Sequence, residues 1–212
     1  MKIACLHTMA SNEILFETAA TAQGVEIRHV LRDDLLSRAE AAGGLDAEIR
    51  RETAQQLERL AADADAVLLT CSTLGPSVED VATPGNVPVL RVDGALAEAA
   101  VAAAGPLVVL CTVDTTVGPT TALFNTAAAG RPVDMQVAVV PDAWAALKAG
   151  DREGYLDAIA TAADDHARAG AATIAFAQAS MTPAAKRCRI ARPLVSPEIG
   201  LAAAVTAALS GR

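Results

Sequence analysis

Aromatic side chains are nearly missing from this sequence: Phe, Tyr and Trp together make up 2% of its 212 residues, with one Tyr and one Trp. The core must therefore be aliphatic. Much of the 52% apolar content is alanine, which favours helix and close approach between elements over bulky filling. Basic residues are also in deficit, with 17 Lys and Arg against 25 Asp and Glu and a formal charge of −8. That balance excludes the basic, aromatic-interleaved surface that nucleic acid requires. The one basic cluster, "KRCR" at Lys186 to Arg189, is short and reads as a solvated helix face. No apolar stretch is long and uninterrupted enough for a membrane helix. The opening "MKIACLHT" lacks a signal h-region and a cleavage pattern, so a cytoplasmic location is expected, with no membrane partner. The four cysteines, Cys5, Cys71, Cys111 and Cys188, are widely spaced and form no CxxC pair. Neither a disulfide framework nor a zinc site is suggested. A G-x-G-x-x-G fingerprint is missing after the first apolar run, which removes the case for a dinucleotide-binding domain.

What is present is alternation. Strand-like runs "KIACLH", "VEIRHV", "AVLLTC", "VPVLRV", "PLVVLCT", "MQVAVV", "ATIAFA" and "RPLVS" are separated by segments of helical spacing. The clearest helix has Leu45, Ile49, Thr53, Leu57, Leu60 and Ala64 recurring every three or four positions, with charges from Asp46 to Arg51 on its outer face. Short apolar strands alternating with helices imply parallel strands covered on both faces, an α/β architecture. In such sheets chemistry gathers at the carboxyl ends of the strands. The chain also resembles itself. "LLTCSTLGP" lies beside "AFAQASMTP", so that Thr70 faces Gln178, Cys71 faces Ala179 and Ser72 faces Ser180 at an offset of 108 residues. The expectation is two similar α/β domains related by a pseudo-twofold, with the site in the cleft between them. Residues 1–93 with 197–212 would form the first domain and 94–196 the second, because the last helix is needed to cover the first sheet.

"CST" after a buried strand, "CTVDTTVGPTT" opening the second half and "AQASM" after a later strand resemble the aspartate/glutamate racemase superfamily. That superfamily includes hydantoin racemases, maleate isomerases and arylmalonate decarboxylases. The resemblance implies two Rossmann-like domains, no cofactor, no metal and a homo-oligomer. It also implies two cysteines on opposite faces of the substrate's α-carbon, one removing a proton and the other returning one. Cys71 matches the first. The second position is Ala179, a departure from the pattern. A thiol working alone returns its proton to the face it came from, so inversion would need another acid, such as His7 or a water. Decarboxylation needs only one protonating thiol, although the family's decarboxylases carry theirs at the second position. Nucleophilic attack by Cys71 is a further option, and a carboxylate-binding protein without turnover is the reading from another class.

An α-proton beside a carboxylate is weakly acidic, so neutral donors must stabilise the enediolate. Ser72 and Thr73 from one half, and Thr112, Thr115, Thr116 and Ser180 from the other, are suited to this, and such donors would favour the Cys71 thiolate. The substrate would be a small carboxylate or hydantoin-like acid. Other readings stay open at several positions. Asp114, Thr115 and Thr116 also serve as N-caps for a helix beginning near Pro119. His7 either lines the cleft with Thr8 and Asn12, or caps its strand while Ser11 or Asn12 caps the helix that follows. Gln178 holds a ligand or is a satisfied buried amide. Cys5 and Cys111 read as packing residues, Cys188 as incidental, and His29 and His166 as structural or solvated.

Overall fold

The apolar run at the amino end becomes a strand, β1 (Lys2–His7), with every residue from Ile3 onward buried. It is followed by α1 (Ser11–Gln23), β2 (Glu26–Leu31), α2 (Asp33–Ala41), α3 (Ala47–Ala61), β3 (Ala66–Leu69), a 3₁₀ segment (Gly75–Asp80), β4 (Val89–Arg91) and α4 (Gly94–Ala102). The second half supplies β5 (Leu107–Cys111), α5 (Asp114–Ala128), β6 (Met135–Val139), α6 (Ala143–Lys148), α7 (Arg152–Arg168), β7 (Thr173–Phe176), a 3₁₀ segment (Ala179–Lys186) and α8 (Ser196–Ser210). These elements come from a computed structural model that describes residues 1–82 and 87–211. The chain divides into two compact units, Met1–Ala95 with Pro197–Arg212, and Leu96–Ser196.

Each unit holds one all-parallel sheet, ordered β2-β1-β3-β4 in the first and β6-β5-β7 in the second. In both, the earliest strand sits between the next two, so the chain leaves it on one side and returns on the other. That reversal opens a crevice at the carboxyl ends of β1 and β3 in one unit and of β5 and β7 in the other.

The few aromatics are spent inside: Phe16, Phe124, Phe176 and Tyr155 are among the largest fully buried side chains. Ile3, Leu6, Leu57 and Leu68 fill the first unit, and Leu110, Ile159, Phe176 and Met181 fill the second. Helix α3 turns Ile49, Thr53, Leu57 and Leu60 inward, and Asp46 caps it by accepting the Ile49 amide at 2.8 Å. Helix α8 approaches the end of β4 so closely that a Cβ on Gly200 would lie 2.5 Å from the Val92 carbonyl oxygen.

Three expectations are corrected. "RPLVS" does not make an eighth strand: it contributes one isolated parallel bridge, Leu194 to Ala175, and the preceding Pro193 has no amide with which to extend the ladder. Helix α5 begins at Asp114 rather than near Pro119, which lies inside it. Proline withdraws one amide from the ladder, yet Asp114 meets the positive end of the helix in its first turn. "KRCR" is not an α-helix face but runs out of the second 3₁₀ segment, of which Lys186 is the last residue. There Arg187 donates to Glu153 and Asp157 of α7, at 2.7 Å each.

Candidate active site

Cys71 stands two residues past the end of β3, at one edge of the first crevice. It is 8% exposed. Burial pushes its thiol above the ordinary range, against the opposing pull of hydrogen bonds from the Thr8 side chain and the Leu74 and Thr73 amides, while the Asp93 charge adds to the rise. The expectation of a favoured thiolate is therefore corrected. Donors do converge on the sulfur, but desolvation outweighs them and the resting group is a thiol. Asp93 is buried and held bidentately by Arg91, at 2.8 and 2.9 Å. The guanidinium lies against Gly75, where a Cβ would come within 2.5 Å of its Cζ. The lack of a side chain at Gly75 leaves room for this close approach.

Across the same crevice, the ends of β1 and β3 are joined by side chains. His7 Nδ1 lies 2.9 Å from Thr70 Oγ1, and His7 Nε2 lies 2.9 Å from His29 Nδ1 on β2. His29 Nε2 in turn meets Glu17 Oε2 of α1 at 3.1 Å. The His7 ring is 0% exposed and packs on Phe16. Burial, with the neighbouring His29, lowers its pKa to about 3. Both ring nitrogens are engaged by protein groups, so His7 holds the strand ends rather than reaching outward. Ser72, Thr73 and Thr8 are buried beside the thiol's loop. Asn12, in the first turn of α1, is buried with its Oδ1 unpartnered among the described residues. Neither Ser11 nor Asn12 caps that helix, whose N-cap is Ala10.

The second crevice repeats the bridge with different chemistry. Gln178, just past β7, accepts through Oε1 both the Thr112 amide (2.6 Å) and the Thr112 hydroxyl (2.9 Å) from the end of β5. A backbone amide can only donate, so the side-chain oxygen must face it and the Gln178 NH₂ is turned the other way. Tyr155 of α7 pairs its hydroxyl with Ser180 Oγ at 2.8 Å. Its pKa is raised by burial, against hydrogen bonds from Ser180 and Thr112. Thr116 is buried and Thr115 half-buried in the first turn of α5. Ala179 is 2% exposed and brings no ionisable group.

Sequence reasoning missed Thr70, His29, Glu17, Tyr155 and the Arg91–Asp93 pair. The offset that set Thr70 beside Gln178 was the one available signal, because both turn out to bridge a crevice. Among the described residues no three His, Cys, Asp or Glu side chains gather as a metal site, and no helix is long and apolar enough to cross a membrane.

Solved structures share this fold. Picrophilus torridus aspartate racemase superposes with a TM-score of 0.73 at 15% identity, covering 98% of this chain and 94% of that one. Allantoin racemase from Pseudomonas fluorescens gives 0.61 at 17% identity, covering 100% and 92%. Glutamate racemase from Aquifex pyrophilus gives 0.63 at 16% identity, covering 95% and 82%. None of the curated proteins matches the sequence. The family model described as Asp/Glu/Hydantoin racemase matches residues 6–208, nearly the whole chain; with a parallel sheet in each unit beneath that match, the chain belongs to the Asp/Glu/hydantoin racemase family.

Proposed function

We propose that this protein is a cofactor-independent enzyme of the racemase and isomerase type that acts on a small carboxylate or hydantoin-like acid through an enolate-type intermediate. Cys71 is its acid/base. One observation carries the reading: a thiol at a strand end, with Thr8 and two backbone amides directed at its sulfur, while the position 108 residues on is alanine. Proton transfer is then confined to one face of the α-carbon.

The division of labour follows from the side chains. Cys71 exchanges the proton. Ser72, Thr73, Thr112, Thr115, Thr116, Gln178, Ser180 and Asn12 serve the substrate's polar groups, mostly as neutral donors that carry no charge to repel a carboxylate. The Gln178 NH₂, with its oxygen already held by Thr112, is a donor of fixed polarity. Thr8 and His7 keep the thiol and its strand end in place.

A second reading, decarboxylation, is favoured by the raised pKa of Cys71. A resting thiol is better prepared to give a proton to an enolate than to take one from carbon. The bond between the α-carbon and the departing carboxylate would break to release carbon dioxide, its electron pair would stay on the α-carbon, delocalised into the remaining carboxylate as the enediolate, and the thiol proton would go to the α-carbon. Solvent would then reprotonate the sulfur.

Incubating a panel of α-substituted carboxylates, hydantoins and malonates in heavy water, followed by proton NMR, tests both. Deuterium is expected at the α-carbon of one class, or in the product of malonate decarboxylation, and Cys71→Ala is expected to lower the rate by about 10²- to 10⁴-fold, the usual worth of a general acid or base. Incorporation undiminished in that variant would refute the assignment. Binding of several acids without incorporation would favour a carboxylate-binding protein.

A further inference from the structure

We propose that Glu17, His29, His7 and Thr70 form a strap that a single proton reverses, with His7 and Thr70 as positioning residues for Cys71. The site it serves is the one proposed above, but the strap itself is read from the distances between its polar atoms.

Thr70 Oγ1 has two partners: His7 Nδ1 at 2.9 Å and the Leu6 carbonyl oxygen at 3.1 Å. A hydroxyl carries one hydrogen, so it donates to one of them at a time. Suppose it donates to His7. Then His7 Nδ1 is bare, Nε2 carries the ring proton and donates to His29 Nδ1, and His29 Nε2–H donates to the Glu17 carboxylate. Both rings are neutral and every partner is satisfied. Suppose instead that it donates to Leu6. Then His7 must donate from Nδ1 to Thr70, which leaves Nε2 bare to accept from His29 Nδ1–H. His29 still donates from Nε2 to Glu17 and so carries protons on both nitrogens. Again every partner is satisfied.

The two arrangements differ by one proton, held on His29 beside Glu17. Adding it reverses each bond between His29 and Thr70, while His7 stays neutral in both, as its depressed pKa requires. The proton has an entry point: the Glu17 side chain is 60% exposed and that of His29 20% exposed. The groups facing the strap are few. Strand β2 is a sheet edge paired with β1; α1 contributes Glu17 and the apolar Phe16. Arg32, whose amide binds the His7 carbonyl oxygen at 2.8 Å, has its guanidinium taken by Asp34 and Glu52. The output lies one peptide away at each end. Thr70 precedes Cys71, and His7 precedes Thr8, whose side chain hydrogen-bonds the thiol.

A falling pH drives the reversal, because imidazole is the side chain suited to taking up a proton. The test is side-chain ¹⁵N NMR of the histidines, with the Cys71 ¹³Cβ resonance followed in the same samples. As pH falls, His7 is expected to move its proton from Nε2 to Nδ1 without gaining charge, with the midpoint at which His29 gains its second proton. The Cys71 resonance is expected to shift at that same midpoint. Glu17→Gln, a change at an exposed side chain, should move all three responses together to lower pH, because the anion favouring charged His29 is gone. His29→Gln should abolish the His7 and Cys71 responses. A His7 tautomer that stays fixed while His29 titrates overturns the strap, and a Cys71 resonance indifferent to that titration overturns its positioning role. None of these readouts requires turnover. A coupled reversal in a protein that exchanges no acid would therefore refute only the enzymatic reading, and deuterium exchange with a fixed tautomer only the strap.

Discussion

At the scale of single residues, burial decides the chemistry of both groups that mattered most in the sequence. Cys71 has donors on three sides, yet desolvation holds it protonated; His7 is neutral because its charged form would be enclosed. Both facts make stability depend on pH, with opposite signs. For Cys71, and for Cys5, which burial also raises, the unfolded chain releases its proton first as pH climbs. Stability is present below the ordinary thiol range and falls as pH rises through it. For His7, the unfolded chain takes up a proton near its usual value of about 6.5, whereas the fold resists it down to about 3. Stability is therefore lost as pH drops through that window. Urea denaturation at pH 7 and pH 4 should show an excess loss on the order of 3 kcal/mol in the wild type over His7→Gln. Equal losses would mean that His7 is not held neutral. Tyr155→Phe removes the hydroxyl that meets Ser180; it should cost about 1 kcal/mol and raise KM more than it lowers kcat, since its effect passes through Ser180.

Elements explain what could and could not be read beforehand. Strands β1, β3 and β5 were legible because parallel strands covered on both faces leave continuous apolar runs. Helix α3 was legible through its inward row from Ile49 to Leu60 and its Asp46 cap. The start of α5 was not, since a proline normally marks a first turn and here it sits a full turn farther in. The apolar content of "RPLVS" likewise suggested a strand that Pro193 limits to one bridge. Cys71, Ser72, Ser180 and Gln178 stood out as polar residues ending apolar runs. Thr70, His29 and Tyr155 did not, because a hydrogen bond between residues 63 or 25 positions apart leaves no periodic trace. Element contacts also predict the cost of small changes. Gly200→Ala would drive a methyl into the Val92 carbonyl oxygen, and with backbone on the opposing side, α8 must shift. A loss of about 1–3 kcal/mol in denaturant unfolding is expected; unchanged stability would show that α8 does not press on β4 in this way.

For the whole molecule, both sheets place their earliest strand between the next two, although only the first has a fourth strand, and both units bridge the crevice with side chains of different chemistry. One bridge runs through two histidines, His7 and His29, to Thr70. The other is an amide and hydroxyl pair, followed by Ala179, the position that pairs with Cys71 at the 108-residue offset. In the proposed function, the first unit brings the proton-transferring thiol and the second brings neutral donors. Ala179→Cys should supply the missing acid/base and convert proton exchange into exchange with inversion, read by chiral chromatography of a recovered acid. The most direct measurement, on the unaltered protein, follows α-deuterium incorporation and optical inversion in one sample of an exchanging acid. The account predicts incorporation with retained configuration. Inversion keeping pace with incorporation would contradict it, because a second proton donor would then be working on the opposite face.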